Sequence, residues 1–299
     1  RQKDTNSIFS MLHFTDIHGN QELFDRIVEF SNYYVSNLNI MLHTGDYVCK
    51  GQADFIDLMG NAEINNVPLY NVIGNHDQYL SDDDRSQADK SLTYQNVITR
   101  TQRVWQDIGA TYMPENNSMT YYKDFKSAKI RLIILDDYYD IAAQESWLKD
   151  VLKDARVLGY HVITAKHNKT DNITNRVTNF NSKDVYSGTY NTTFDAVIKE
   201  FVEAGGIHIC NICGHEHVDE TGYTTSGLLN VVAECATSDV SWQNCKRDKN
   251  TKSFDCFNIL SIDTNTGLIK IIRIGDNKDI YLRDKSYTCI DYINKKVVA

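Results

Sequence analysis

The sequence predicts an α/β fold over its first two thirds, with helices packed against a β-sheet, and strands alone after that. Along those first two thirds of the 299 residues, apolar runs of strand length alternate with stretches of helical period. After Gly222 the apolar runs all have strand length, and no linker rich in Pro, Gly or Ser separates the two parts. We therefore expect a single domain over residues 1–299, whose C-terminal part, from about residue 222, is all-β and completes the sheet structure.

Each element is predicted from its own pattern. Five apolar runs have the length of buried strands: Ile8–Phe14, 40–44, 68–73, 160–165 and Ile207–Cys213. Helices are expected where apolar residues recur at helical spacing: 23–34, 53–64, 97–108, 147–155 and 194–202. Strand patterns also cover 120–125 with 129–135 as a hairpin, then 227–235, 254–263 and Leu268–Ile274, the last two joined by a turn at 264–267. The polar stretch 168–191 is too long for a plain connection and is expected to be a functional loop.

Composition excludes several classes of protein. With 31 Lys plus Arg and 40 Asp plus Glu the net charge is −9, and the basic residues are scattered, which argues against nucleic acid as a partner. No apolar run approaches the roughly 18 residues of a membrane span. Seven cysteines in a chain of this length do not indicate a disulfide framework. The chain starts at Arg1, so the compartment stays open between cytoplasm and export with the signal removed, and so does the oligomeric state.

Five short polar clusters directly follow predicted strands, where an α/β sheet gathers its active site. They are Asp16-Ile17-His18, Gly45-Asp46, Gly74-Asn75-His76-Asp77, Ala165-Lys166-His167-Asn168 and Gly214-His215-Glu216-His217. Carboxylate, imidazole and amide groups together suit borderline divalent metals such as Mn, Fe, Zn or Ni. Seven candidate ligands exceed the needs of one four-coordinate ion and suit two metal ions that share a bridging carboxylate. Two metals about 3.5–4 Å apart clamp a phosphoryl group and activate a water for attack on phosphorus.

This ordered set of motifs resembles the calcineurin-like metallophosphoesterase superfamily. All five motifs occur in the family order, spread over residues 16–217. The resemblance implies an α/β fold of the four-layer α+β type, in which two mixed β-sheets pack as a sandwich flanked by helices, with a dinuclear metal site at strand ends. It also implies hydrolysis of phosphoric esters, either diesters or monoesters, by a water that two metals activate and with a histidine as general acid. The expected partner is a small-molecule or exposed phosphate ester.

The resemblance also implies a role for each motif residue. The first metal would be bound by Asp16, His18, Asp46 and His217, and the second by Asp46, Asn75, His167 and His215. Asp46 would bridge the two ions and would be catalytic together with His76. In this scheme His76 binds no metal and faces the leaving group.

Each of these residues also has an ordinary structural explanation. Asp16 and Asp46 would serve as helix caps, Asn75 as a turn former and the histidines as hydrogen-bonded loop residues. The remaining histidines lie in or beside predicted strands and are expected to be structural: His13, His43, His161 and His208. The alternative from another class of function is a non-catalytic binding module on the same fold. Such modules typically lack the catalytic histidine or several ligands, whereas this chain keeps them all.

A second alternative is a Ser/Thr-type protein phosphatase, because residues 45–51 are close to the signature of those enzymes. Cys49 stands where they have an Asp that orients the catalytic histidine, and Lys50 stands where they have Arg. Lysine lacks the planar, two-pronged contact that Arg makes with phosphate. The Cys49 side chain either binds a metal as a thiolate or fills space as a small buried group. In the second case Asp77 or a backbone carbonyl would orient His76.

Overall fold

The computed structural model describes residues 8–33, 38–47, 67–78, 109–114, 119–138, 140–171, 173–176, 192–233, 235–236, 255–275 and 287–299. The helices predicted around 53–64 and 97–108 lie outside these ranges, and so do Cys49 and Lys50.

The described part of the chain contains fifteen strands and three α-helices. The strands are β1 (Ile8–Phe14), β2 (Ile40–His43), β3 (Leu69–Asn71), β4 (Thr111–Tyr112), β5 (Tyr121–Phe125), β6 (Ile130–Ile134), β7 (His161–Ala165), β8 (Ile173–Arg176), β9 (Ile207–Cys213), β10 (Glu220–Thr224), β11 (Leu229–Val232), β12 (Phe257–Asp263), β13 (Leu268–Ile274), β14 (Tyr287–Asp291) and β15 (Lys296–Val297). The helices are α1 (Gln21–Tyr33), α2 (Ile141–Leu158) and α3 (Thr193–Glu203), and a 3₁₀ turn covers His76–Gln78.

The strands form two mixed sheets. The first sheet has the order β15-β14-β13-β12-β1-β2-β3, and the second has the order β4-β5-β6-β7-β9-β11-β10-β8. In the first, β1, β2 and β3 are parallel, whereas β12 to β15 pair antiparallel. In the second, β6, β7, β9 and β11 are parallel. The expected pair of mixed sheets is confirmed.

Apolar side chains between the two sheets form the main core. Leu12 of β1 and Leu260 of β12 belong to the same fully buried cluster as Leu132 of β6 and Ile163 of β7. Burying apolar area is worth roughly 25 cal/mol per Å², so this interior holds the two sheets together.

The helices cover the outer faces of the sheets. Because side chains alternate along a strand, Ile133 of β6 and Val162 of β7 point away from the main core and pack with Leu148 of α2 and Ile198 of α3. On the other side of the molecule α1 packs against the first sheet.

Two ring contacts fix α1 on that sheet. Phe24 lies 6.0 Å from Phe14 of β1, and Phe30 lies 4.9 Å from Phe257 of β12, measured between ring centroids. The layers are therefore helix, sheet, sheet and helices, as the family resemblance implies.

Helix α2 shows how local sequence sets an element. Asp140 caps its start, since the Asp140 Oδ1 atom accepts the backbone N–H of Ala143 at 3.0 Å. Gly159 ends it in the left-handed conformation, with φ of 71°. Between these two signals, Val151 and Ala155 of the predicted apolar stripe are buried.

The predicted and observed elements differ most in the polar regions. The runs Ile8–Phe14, Ile207–Cys213 and Leu268–Ile274 are strands with the predicted bounds. Part of the stretch 168–191, expected as a functional loop, is instead strand β8, which pairs antiparallel with β10. The expectation of a loop is wrong for this piece because an edge strand is held by backbone hydrogen bonds and needs no continuous apolar run.

Within the described ranges, no helix is long and apolar enough to cross a membrane.

Candidate metal centre

Five loops meet at one edge of the two-sheet core, and each follows a parallel strand: β1, β2 and β3 of the first sheet, and β7 and β9 of the second. Hydrogen bonds join the loops to one another. The Asp16 N–H donates to the Gly45 carbonyl at 3.0 Å, and the Gly214 N–H donates to the His167 carbonyl at 3.0 Å. Across the two sheets, the His215 N–H donates to Asp16 Oδ2 at 3.0 Å. The five motifs therefore form one connected site.

A first group of side chains gathers around His217. Its Nε2 atom lies 3.1 Å from Asp16 Oδ1 and 3.2 Å from His18 Nε2. The His18 Nε2 atom is in turn 3.8 Å from Asp16 Oδ1. With Asp46, these residues offer four ligand atoms that all lie within 4.8 Å of one another.

A second group gathers around His167. Its Nε2 atom lies 3.3 Å from Asp46 Oδ2, 3.2 Å from Asn75 Oδ1 and 3.2 Å from His215 Nδ1. Asp46 thus belongs to both groups. The structure brings together all seven side chains that the sequence analysis named as ligands, in the two sets that the resemblance implies.

His76 lies beside these groups and belongs to neither. Its backbone N–H donates to Asp46 Oδ1 at 2.8 Å, and its ring stands edge-on to the ring of His18, with centroids 4.9 Å apart. The neighbouring Asp77 carboxylate accepts the backbone N–H groups of Asp46 at 3.0 Å and Tyr47 at 2.8 Å. Asp77 therefore fixes the loop that carries Asp46.

The backbone at this site is strained. Five of the seven named residues have positive φ: Asp16 (53°), His18 (47°), Asp46 (58°), His215 (68°) and His217 (53°). Elsewhere in the described ranges, the non-glycine residues with positive φ are Lys129 and Lys295. Each such residue costs on the order of 1–2 kcal/mol, so surrounding contacts must impose this conformation.

Two motif glycines are required by close approach. A Cβ atom on Gly45 would lie 2.5 Å from His167 Nδ1 and 2.6 Å from the Gly74 nitrogen, and the φ of Gly45 is +102°. A Cβ atom on Gly74 would overlap the Asp46 carboxylate. Only glycine leaves room for the loops to bring Asp46 against His167.

Opposite charges compensate one another inside the site. Burial favours a raised pKa for both carboxylates, but His217 holds the pKa of Asp16 well below its usual range, and His167 lowers that of Asp46 to about 2. Conversely, burial opposes the charged form of His167, but the Asp46 carboxylate raises the pKa of His167 to about 10. The pKa of His217 rises to about 12 against burial, through Cys235 and Asp16. The two buried carboxylates thus require positive charge beside them.

The donor set fits divalent cations. Two ligand atoms bound at 2.0–2.1 Å to a tetrahedral ion lie about 3.3 Å from each other. The closest spacings within both groups, 3.1–3.3 Å, agree with that distance. Burial lowers the pKa of His18 and of His215 to about 4, so both rings are neutral at pH 7 and present a lone pair. Divalent cations would also supply the positive charge that Asp16 and Asp46 require.

A buried ion pair flanks His167. The Lys166 Nζ atom lies 2.6 Å from Asp137 Oδ1, and neither side chain is exposed. The other Asp137 oxygen accepts the backbone N–H of Asn168 at 2.8 Å. The chain is therefore held on both sides of His167.

The remaining histidines make structural contacts, as expected. Their ring partners are Thr44 Oγ1 for His13 (2.9 Å), the Gly45 N–H for His43 (3.2 Å), the Tyr292 hydroxyl for His161 (2.7 Å) and Thr164 Oγ1 for His208 (3.0 Å).

Sequence reasoning missed two neighbours of Asp16. The Thr15 hydroxyl donates to Asp16 Oδ2 at 2.6 Å, and the Cys235 thiol donates to the Asp16 carbonyl oxygen at 3.0 Å. Thr15 adjoins the first motif and was open to the same reasoning. Cys235 lies 219 positions away from Asp16, and no local pattern marks it.

The chain is similar to known proteins in sequence pattern and in fold. The sequence model described as "Calcineurin-like phosphoesterase" matches residues 9–219. No curated protein matches the sequence significantly. Among solved structures, a dimetal phosphatase from Danio rerio is similar over 89% of this chain and 96% of its own, at 13% identity and a TM-score of 0.59. The phosphopantetheinyl hydrolase from Mycobacterium tuberculosis is similar over 76% of this chain and 89% of its own, at 10% identity and a TM-score of 0.41.

The structural likeness to the Danio rerio phosphatase supports the same fold. The family match spans well over half of the chain and includes all five motifs. The chain belongs to the calcineurin-like phosphoesterase family.

Proposed function

We propose that this protein is a metal-dependent hydrolase of phosphoric esters with a dinuclear centre. The observation that carries the proposal is the pair of ligand groups that share Asp46, with His76 beside them. Asp16, His18, Asp46 and His217 hold one cation, and Asp46, Asn75, His167 and His215 hold the other. The expected ions are Mn, Fe, Zn or Ni, because the donors are a mixture of imidazole, carboxylate and amide.

Bound cations of this kind neutralise the charge of a phosphoryl group and make a water acidic enough to serve as the nucleophile. The protein contributes rigidity. The positive φ of Asp46 and the backbone N–H groups that Asp77 accepts keep the Asp46 carboxylate between the two groups. The Asp46 oxygens thus stay in place without reorganisation during the reaction.

His76 acts as the general acid in this proposal. It belongs to neither ligand group and is partly exposed, so a substrate can reach its ring. Its backbone is tied to Asp46, which holds the ring at the edge of the site. A protonated His76 would give its proton to the leaving oxygen as the P–O bond breaks, so that a neutral alcohol departs.

The substrate is expected to be small or exposed. The net charge of −9 and the scattered basic residues oppose a polyanionic partner, which argues against a nuclease. The experiment below distinguishes diester from monoester substrates.

The test is hydrolysis of aryl phosphates by metal-stripped protein to which Mn, Fe, Ni or Zn is returned. We expect metal-restored turnover, and the ratio of rates on bis(aryl) and mono(aryl) phosphates assigns the ester class. A phosphopeptide arm tests the protein-phosphatase alternative. Tight binding of two metals without turnover on any ester would favour the non-catalytic binding module, and failure to bind metal would overturn the proposal.

A further inference from the structure

Cys235 lies against the first ligand group although it belongs to none of the five motifs. It follows β11 and its side chain is fully buried. Two hydrogen bonds fix its position: the Ala236 N–H donates to the Thr15 carbonyl at 3.0 Å, and the Cys235 thiol donates to the Asp16 carbonyl at 3.0 Å. The segment that follows β11 is thereby tied to the loop that carries Asp16.

The sulfur atom also reaches the imidazoles of the first group. His18, His217 and Cys235 offer three ligand atoms that lie within 4.8 Å of one another. The cluster formed by these three residues therefore overlaps the group formed by Asp16, His18, Asp46 and His217. A cation beside His18 and His217 would have the sulfur atom within reach.

We propose that Cys235 is a thiolate ligand of the cation held by Asp16, His18 and His217, an inference that rests on the metal centre proposed above. On binding, the S–H bond breaks, the proton leaves to solvent and a sulfur–metal bond forms, with no change in oxidation state. The hydrogen bond to the Asp16 carbonyl is given up in exchange. The sulfur would be a further donor to this ion beside the carboxylates and imidazoles of the first group.

A thiolate makes the two halves of the centre chemically different. The group around His167 offers only oxygen and nitrogen, whereas the group around His217 gains a soft donor. Soft donors select Zn²⁺, Fe²⁺ or Co²⁺ over Mn²⁺ and Mg²⁺. The first position is therefore selective for a thiophilic metal, and the second is less so.

Other cysteines provide matched controls. Cys213 at the end of β9 is also fully buried, but its sulfur lies 3.9 Å from the Val231 carbonyl and is not part of either ligand group. Cys49 follows Asp46 by three positions in the sequence, so its thiol must be tested separately. The variants are C235A, C213A and C49S.

The experiment loads metal-free full-length protein with Co²⁺ and records the near-ultraviolet thiolate-to-cobalt charge-transfer absorption together with the bound cobalt per chain. We expect the absorption in the wild type, C213A and C49S, and its loss in C235A. We also expect C235A to bind Zn²⁺ at least about tenfold more weakly, since even indirect partners of metal ligands contribute that much.

If C235A does not fold, a measurement on the wild-type protein alone still tests the proposal. X-ray absorption of the zinc-loaded protein should show a sulfur neighbour at about 2.3 Å from the metal. Two bound metals without a sulfur neighbour would overturn this inference and leave the proposed function intact, as would loss of the absorption in C49S alone. No bound metal at all would overturn both.

Discussion

The Nδ1 atom of His167 lies 2.6 Å from the carbonyl oxygen of Thr44. A carbonyl oxygen only accepts hydrogen bonds, so the proton must sit on Nδ1. In the neutral ring, Nε2 then carries a lone pair, and this is the atom that faces Asp46, Asn75 and His215. The strand end at Thr44 thus selects the tautomer that a metal ligand needs.

The proposed role of His76 predicts a separation between metal binding and turnover. His76→Ala should keep both metals and lose about 10²–10⁴-fold in turnover, the usual contribution of a positioned general acid. The loss should be smaller for aryl esters with good leaving groups than for alkyl esters, because a stable aryloxide needs no proton. Metal analysis and a leaving-group series measure both effects.

The matched change is Asp46→Ala, which removes the shared carboxylate and should lower metal content as well as turnover. If His76→Ala abolished metal binding while Asp46→Ala retained it, the two roles would be reversed.

Replacing Gly214 by a larger residue should damage the metal site for steric reasons alone. A Cβ atom there would overlap the Thr15 hydroxyl and lie 2.6 Å from Asp16 Oδ2. Gly214→Ala should therefore displace Asp16 and weaken metal binding at the first group, as measured by calorimetric titration. Gly205→Ala is the control, because it strains a left-handed glycine (φ +90°) with no heavy atom within 4 Å of the new Cβ. Equal metal affinity in Gly214→Ala and the wild type would refute this account of the loop.

The ion pair between Lys166 and Asp137 predicts a large cost for removing one partner. Asp137→Ala removes the carboxylate that pairs with the buried Lys166 ammonium and should lower the free energy of unfolding by about 3–5 kcal/mol. Glu145→Ala breaks the exposed pair of Glu145 with Lys149 and should change stability little. Chemical denaturation of both variants makes the comparison, and similar losses in the two would contradict it.

The buried His13 side chain should make the stability of the fold sensitive to acid. Burial lowers its pKa to about 3, against about 6.5 when unfolded. Above pH 6.5 neither state is protonated and stability is unaffected. As the pH falls below 6.5, only the unfolded chain gains the proton at His13. This one group therefore lowers the free energy of unfolding by about 2 kcal/mol between pH 7 and pH 5.

His13→Gln removes this titration and still offers a hydrogen bond to Thr44. Both proteins are denatured at pH 7 and at pH 5 in the presence of a chelator. Between these pH values the free energy of unfolding should fall by about 2 kcal/mol less in the variant than in the wild type. An identical pH dependence in the two proteins would show that His13 is not buried in its neutral form.

How much the sequence predicted depended on whether a signal was local. Ile8–Phe14 and Ile207–Cys213 were predictable because strands buried on both faces consist mainly of apolar residues. The motif loops were predictable because parallel strand ends gather side chains at one edge. The edge strand β8 was not, since backbone pairing with β10 forms it. Cys235 was not, because its contact with Asp16 exists only once the sheets have packed.

The central claim is that two cations shared through Asp46 are needed for phosphoric ester hydrolysis. The most direct measurement is turnover of an aryl phosphate ester as metal is titrated into stripped protein, with bound metal counted at each point. We predict that turnover rises with the second equivalent and saturates at two metals per chain. Full turnover at one metal per chain, or turnover that is independent of metal, would contradict the account.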